Sequence, residues 1–217
     1  MLSLRFLKML SINDLREHYS KGELLEKDIP RNPIELFDAW FQLAISENIK
    51  EPNAAVLGTV SIERKPRSRV ILLKDYSKAG FSFYTNYQSD KGREMEHNNN
   101  VCLNFNWLDL EKQVRIEGKA SKLSAEESDI YFRTRPEGSK VGAHISNQSQ
   151  PIASREDLDK KLEEFHITEI IERPKHWGGY IIKPVLIEFW QGRANRLHDR
   201  IQFTLRDNVW SFKRLQP

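Results

Sequence analysis

The chain has 217 residues, 39% hydrophobic, 10% aromatic and 30% charged, with a formal net charge of +3. That length and aromatic content suit a globular protein with a sizeable core and argue against disorder, and so small a positive excess does not by itself call for nucleic acid. The longest apolar runs, Ala54–Leu57 and Val70–Leu73, are far short of the roughly 20 residues of a membrane helix, and the single cysteine, Cys102, excludes an internal disulfide framework or a multi-cysteine zinc site.

Met1–Leu10 is apolar with Arg5 and Lys8, but lacks the longer apolar core and small-residue cleavage site of a signal peptide. The expected location is the cytoplasm. Residues 1–30 are charged and read as an arm, leaving 31–217 as a single domain. Asn32-Pro33 opens a helix, with Asn as cap and Pro in the first helical position. Leu36, Phe37, Trp40, Phe41, Ala44 and Ile45 follow at helical spacing and form its core face.

From Ala54 the period changes to two. Ala54–Ile62, Arg67–Lys74 and Phe81–Thr85 are expected strands, separated by turns at Glu63–Pro66 and Asp75–Gly80. Val101–Trp107 follows, with Cys102 read as a small buried apolar residue. In Gln113–Leu123, Val114, Ile116, Gly118 and Ala120 alternate with Arg115, Glu117 and Lys119, giving one buried and one wet face. Gly178–Trp190, Ile201–Leu205 and Val209–Leu215 close the pattern. Helices are expected near Lys91–His97, Ser124–Arg133 and Ser154–Phe165, the second opened by a Ser124/Glu127 capping box. Successive strands joined by short turns predict a mainly β protein with flanking helices, an antiparallel sheet closing toward a barrel.

Gly-rich nucleotide loops, Walker A, HExxH and the nucleophile elbow are absent. What remains is a set of cations on strands or at their ends. Arg69 and Lys74 bracket an apolar strand, either as two solvated ends or as contacts to a phosphate or polar ring edge. In Arg196-Leu197-His198-Asp199-Arg200, an extended backbone would put Arg196, His198 and Arg200 on one face. Three such groups repel unless an anion or a carboxylate lies among them, so the choice is between a bound phosphate and a structural ion-pair cluster. In Tyr131–Ser139 a helix breaks at Pro136, where Arg135 offers a planar fork and Ser139 a hydroxyl. Tyr131, four residues earlier, shares the Arg135 face; an ordinary helix terminus would look the same.

Together these residues resemble the pyridoxine (pyridoxamine) 5′-phosphate oxidase family from Leu15 to Pro217. The stretches that carry the resemblance are Arg69–Lys74 (RVILLK), Phe83–Asn86 (FYTN), Tyr131–Ser139 (YFRTRPEGS), Gly142–Ser149 (GAHISNQS), Ile187–Gly192 (IEFWQG) and Arg196–Arg200 (RLHDR), with the ending from Trp210 to Pro217. The resemblance implies a split β-barrel binding FMN at a homodimer interface. It implies FMN contacts from Arg69, Val70, Leu72, Lys74, Tyr84, Thr85, Asp90, Lys91 and Gln113, completed by Gln148, Ser149, Trp190 and Arg200, some from the partner chain. Substrate phosphate would be held by Lys74, Tyr131, Arg135 and Ser139, with Arg196 and His198 facing the substrate ring as the catalytic pair. Arg16 and Tyr19, also implied to bind substrate, lie in a segment that resembles a lid. No metal is implied.

The implied reaction oxidises pyridoxamine or pyridoxine 5′-phosphate to pyridoxal 5′-phosphate and reduces O2 to H2O2. Two positions depart from the family pattern: Asp90, where the family often has Arg or a neutral residue, is expected to weaken FMN binding, and His144 stands where Trp is expected. The alternatives are a non-catalytic flavin- or haem-binding split-barrel carrier or sensor, which would not need the substrate-phosphate residues, and a nucleic-acid-binding barrel.

Overall fold

The structure is a computed structural model that describes residues 11–15, 17–165 and 170–217. Helix α1 (Pro33–Ser46) starts where Asn32 Oδ1 accepts from the Ile34 N–H at 3.0 Å. The strands are β1 (Ala54–Val60), β2 (Pro66–Leu72), β3 (Asp75–Ser77), β4 (Gly80–Asn86), β5 (Asn100–Trp107), β6 (Lys112–Lys122), β7 (Trp177–Gln191), β8 (Asp199–Arg206) and β9 (Val209–Leu215). Between them lie α2 (Asp90–His97), α3 (Ala125–Thr134), α4 (Glu137–Ile145) and α5 (Arg155–Glu163). The Ser124/Glu127 capping box forms as expected.

Among the described residues all pairings are antiparallel, in the order β2-β1-β5-β6-β7-β4-β3, with β8 on β7 and β9 on β8. One strand explains the split. β6 runs along one edge of β7, while the other edge takes β4 at Trp177–Ile182 and β8 at Leu186–Gln191. The changeover falls at Lys183–Val185. Pro184 has no N–H to give to a ladder, and opposite it the register shifts between Glu117 and Gly118. A Cβ on Gly118 would lie 2.4 Å from the Lys183 carbonyl, so only glycine allows the strands to approach there. The free edge of β7 is therefore divided between β4 and β8, and among the described residues the sheet does not close.

The alternation read in the sequence is the core. Leu57, Leu103, Phe105, Val114, Ile116, Ile187, Phe189, Ile201 and Phe203 are fully buried on one face, beneath α1. Phe37 meets Phe81 and Phe105 edge-on at 5.0 and 5.1 Å, and Trp40 meets Phe189 at 5.2 Å. The opposite face carries the polar row Asn106, Gln113, Trp190 and Arg200, which are direct cross-strand neighbours.

Several expectations change. Cys102 lies on that outer face and is half-buried, because the core-facing residues of β5 are Val101 and Leu103. The turn expected at Asp75–Gly80 contains β3, and α4 was not foreseen. Arg196–Arg200 is not extended: Ala194–Arg196 makes a single 3₁₀ turn with left-handed φ at Asn195 (56°) and Arg196 (61°), and β8 starts only at Asp199. The three groups therefore do not form a strand face.

The first part of the chain is held by specific contacts. The N–H groups of Ser20 and Lys21 both donate to Glu111 Oε2 at 2.9 Å, and Leu24 N–H donates to Asp199 Oδ2 at 3.0 Å. Leu24 is itself part of the core. Arg214 on β9 bridges Glu26 at 2.6 Å and Asp199 at 2.7 Å. The guanidinium hydrogen bond holds the Glu26 carboxyl down at about 2.

Candidate active site

Two groups of the expected residues form, one at each end of β7. At the Trp177 end, Ser89 caps α2 and places Lys91 in the first turn. Lys91 Nζ donates to Gln148 Oε1 at 3.0 Å and to the hydroxyls of Thr85 and Ser89 at 3.3 Å. These are all neutral acceptors. Burial, and then Arg69, pull its pKa down, while Asp90 and Glu94 pull it up. A half-buried ammonium without a hydrogen-bonded carboxylate suits a phosphate, which would restore its charge balance.

Arg69 is different. It donates to Thr59 Oγ1 and pairs with buried Glu94 at 2.9 Å, so its charge is already matched. Asp90 pairs with Arg67 at 3.3 Å and Arg93 at 2.8 Å, and its backbone N–H donates to Ser149 Oγ at 3.2 Å. Its carboxylate thus pairs with two exposed arginines, of which Arg67 also pairs with Glu94 at 3.4 Å. Val70 and Leu72 are exposed on the opposite face of β2 from Arg69, and Lys74 lies past the end of β2, also exposed.

Next to Lys91, a cavity of about 320 Å³ is lined by Tyr84, Thr85, Arg135, Ser139, Gln148 and Trp177, among others. Arg135 is the residue between α3 and Pro136 and is not helical, with ψ 146°. Its guanidinium lies 4.4 Å from the Trp177 ring centroid and 5.5 Å from that of Phe132. Its Nη1 is buried without a hydrogen-bond partner. Tyr131 stacks on Tyr84 at 3.8 Å and 12°. His144 retains an aromatic role, facing Phe165 at 5.4 Å and bonding the Glu172 carbonyl through Nε2 at 2.7 Å.

At the other end, Trp190 packs on His198 at 4.6 Å, and Tyr19 meets both rings, at 5.8 and 5.6 Å. His198 Nδ1 accepts from the Arg193 N–H at 3.1 Å, which leaves the proton of the neutral ring on Nε2. Burial, and then the Arg196 cation, lower its pKa. Tyr19, Trp190, Arg196 and His198 line a cavity of about 380 Å³. Gln113 and Arg200 flank Trp190 in the cross-strand row. Arg200 donates to buried Glu188 at 2.8–2.9 Å, and Glu188 also takes Arg115 at 2.8 Å. Arg16 lies outside the described residues.

These ends are thirteen residues apart on β7, about 43 Å of strand at roughly 3.3 Å per residue. Arg135 and the Arg196–His198 pair line separate cavities that share no residue.

Residues 41–172 match the family described as pyridoxamine 5′-phosphate oxidase, and residues 177–217 match the pyridoxine 5′-phosphate oxidase C-terminal dimerisation region. The chain belongs to the pyridoxamine 5′-phosphate oxidase family. A pyridoxine/pyridoxamine 5′-phosphate oxidase of Christiangramia forsetii is 50% identical over 206 residues, covering 93% of this chain and 96% of the relative. One from Bacteroides thetaiotaomicron is 49% identical, covering 96% and 100%. Among solved structures, PhzG of Burkholderia lata, in complex with tetrahydrophenazine-1-carboxylic acid, superposes with TM-score 0.84 at 28% identity over 91% of this chain and 100% of that one. An FMN-binding protein related to the oxidase, from Nostoc punctiforme, shares the fold at TM-score 0.73 and 14% identity, over 87% of this chain and 100% of its own.

The region matched to the dimerisation model comprises β7, β8 and β9, which hold Trp190 and Arg200 with Arg196 and His198 between them. Sequence reasoning missed Trp177, Glu188, Thr59 and Glu94. Trp177-Gly178-Gly179 did carry a signal, an aromatic followed by two glycines at a strand start. Cβ atoms on those glycines would lie 2.1 Å from Tyr87 Oη and 2.8 Å from Tyr84 Cε1.

Proposed function

We propose that this chain is an FMN-dependent oxidase that converts pyridoxamine 5′-phosphate or pyridoxine 5′-phosphate to pyridoxal 5′-phosphate, reducing O2 to H2O2. Family membership supports the activity, and the observation that carries the substrate class is Arg135. Its buried Nη1 has no partner, and it faces a cavity shared with Ser139. An unsatisfied buried donor of this kind costs about 1–3 kcal/mol; a phosphate oxygen would satisfy it. Lys91, held only by neutral acceptors, offers a second anion position suited to the FMN phosphate.

The site is a composite of two protomers of a homodimer. The Lys91–Arg135 end of one protomer faces the Trp190–His198 end of its partner, which resolves the separation along β7. In this assignment the FMN set is Arg69, Val70, Leu72, Lys74, Tyr84, Thr85, Asp90, Lys91 and Gln113, with Gln148, Ser149, Trp190 and Arg200. Arg69 acts as an oriented donor rather than a free charge, since Glu94 already balances it. Lys74, Tyr131, Arg135 and Ser139 take the substrate phosphate.

FMN held there would supply the two-electron acceptor for oxidation at the substrate C4′ carbon, with dioxygen as the final oxidant; with the amine substrate, water would then hydrolyse the substrate imine to the aldehyde and release ammonia. The chain supplies geometry and charge. Charge-assisted bonds from Arg135 and Lys74 fix the phosphate end. Arg196, a permanent cation without an ion pair among the described residues, orients the ring hydroxyl. His198 is neutral and presents Nε2–H as a donor, so it orients the substrate rather than withdrawing a proton from it. Tyr19 covers Trp190 and His198, and with Arg16 belongs to the arm that excludes water when it closes. We place the enzyme in the cytoplasm, where a single unpaired cysteine suits reducing conditions.

The test is the visible spectrum of the purified protein, with pyridoxamine 5′-phosphate added anaerobically. A flavin band that bleaches, then recovers with peroxide on admitting air, is the expected result. A yellow protein that does not bleach would instead be the carrier or sensor, and a colourless protein that FMN does not reconstitute would overturn the cofactor assignment.

A further inference from the structure

The chain balances the arginines of its two candidate groups differently. Arg69 has Glu94 and Arg200 has Glu188. Arg135 has aromatic rings: Trp177 at 4.4 Å and Phe132 at 5.5 Å, with no ion pair to its guanidinium among the described residues. A carboxylate would hold a guanidinium but cancel its charge. A ring face holds it and leaves the charge available.

Trp177 is well placed for this. It is 6% exposed and pairs with Asn86 across β4 and β7. Its carbonyl accepts from Arg173 Nη1 at 2.6 Å, and Arg173 is in turn fixed to Asp129 of α3 at 2.6 Å. Its ring is nearly parallel to those of Tyr84 (13°) and Tyr131 (7°), which stack on each other. The ring under Arg135 is thus set by two strands, by α3 and by an aromatic stack before any ligand arrives.

We propose that Trp177 is a positioning residue for phosphate recognition: its ring preorganises the Arg135 guanidinium over the cavity without neutralising it, and so sets the preference for phosphorylated over unphosphorylated substrate. The inference rests on the reading of Arg135 as a substrate-phosphate ligand. It adds that an otherwise structural tryptophan determines how strongly that ligand acts. Preorganisation of this kind enters through binding, so it is read in KM and not in kcat.

The experiment compares Trp177→Phe, Trp177→Met, Trp177→Leu and Arg135→Ala as FMN-loaded enzymes, with pyridoxamine 5′-phosphate as substrate and inorganic phosphate as inhibitor. Trp177→Leu is expected to raise KM about tenfold with kcat within about twofold, and to weaken inhibition by phosphate in parallel. Trp177→Phe, which keeps a ring, is expected to restore KM to within about threefold of the parent. Bound flavin per protomer is expected to stay constant throughout. If Trp177→Leu does not fold, the Phe and Met variants are compared in the same way, since only Phe keeps a ring. Arg135→Ala raising KM while the Trp177 variants without a ring leave it unchanged would overturn the inference alone. Arg135→Ala leaving KM and phosphate inhibition unchanged would overturn the phosphate reading beneath it. Loss of kcat and flavin together with KM in the Trp177 variants would show a merely structural residue and also overturn the inference.

Discussion

Glu188→Gln probes the second end of the site. Glu188 is 4% exposed, and its two oxygens take three guanidinium nitrogens, from Arg115 at 2.8 Å and from Arg200 at 2.8 and 2.9 Å. Gln keeps the shape but replaces one acceptor oxygen with a donor, which must then face a guanidinium. Hydrogen bonds to charged groups contribute roughly 1.5–3 kcal/mol each. Arg115 and Arg200 have side chains 41% and 30% exposed, so water recovers part of what they lose. A net loss of about 3 kcal/mol follows, which for a chain of this size lowers Tm by roughly 6–12 °C. The assay is thermal unfolding of the FMN-loaded protein at equal protomer concentration, because dimer melting depends on concentration. In an Arg200→Ala background the same substitution should cost less, since one of its partners is already gone. A Glu188→Gln protein that melts within a degree or so of the parent would refute the reasoning.

Lys91→Met removes the ammonium that faces only neutral acceptors, and should weaken FMN binding by about 10- to 100-fold in a fluorescence-quenching titration while leaving the fold intact. Asp90→Arg should change FMN affinity less than about threefold, because Arg67 and Arg93 already pair with the carboxylate; a large tightening would instead bear out the expectation that Asp90 repels the cofactor. His198 should titrate below its ordinary value of 6.5, since burial and Arg196 favour the neutral ring. In the window below 6.5 the unfolded chain binds the proton more readily than the folded one. The contribution of His198 to stability is therefore complete above pH 6.5 and lost as pH falls toward the folded value. An NMR titration of the His198 ring with a midpoint at or above 6.5 would contradict this.

The core strands were legible because one face of each is buried and its side chains alternate. The same rule, applied to Val101-Cys102-Leu103, puts Cys102 on the outer face, where the structure has it. β3 is three residues of Asp-Tyr-Ser, too short to show a period. α4 lacks a side-chain cap and contains Gly138 and Gly142, so neither propensity nor capping announces it. The turn at Ala194–Arg196 depends on left-handed conformations at Asn195 and Arg196, and only the asparagine hints at one. The cations of the candidate site were legible as residues, but not their balance. Arg69 and Arg135 look alike in sequence, and only the fold shows that one faces a buried glutamate and the other a tryptophan. Nor does sequence order reveal that Arg135 packs on Trp177 at one end of β7 while His198 packs on Trp190 near the other.

That separation yields the most direct test. Arg135→Ala breaks one end of the site and Arg196→Ala the other. Each variant alone should have little activity. In a one-to-one mixture, dissociated and reassociated, half of the dimers are mixed, and each mixed dimer holds one site with both ends intact. The account predicts recovery of about one quarter of the parental activity in the mixture. Activity no greater than the average of the two variants, with mixed dimers demonstrated, would contradict a site built from two protomers.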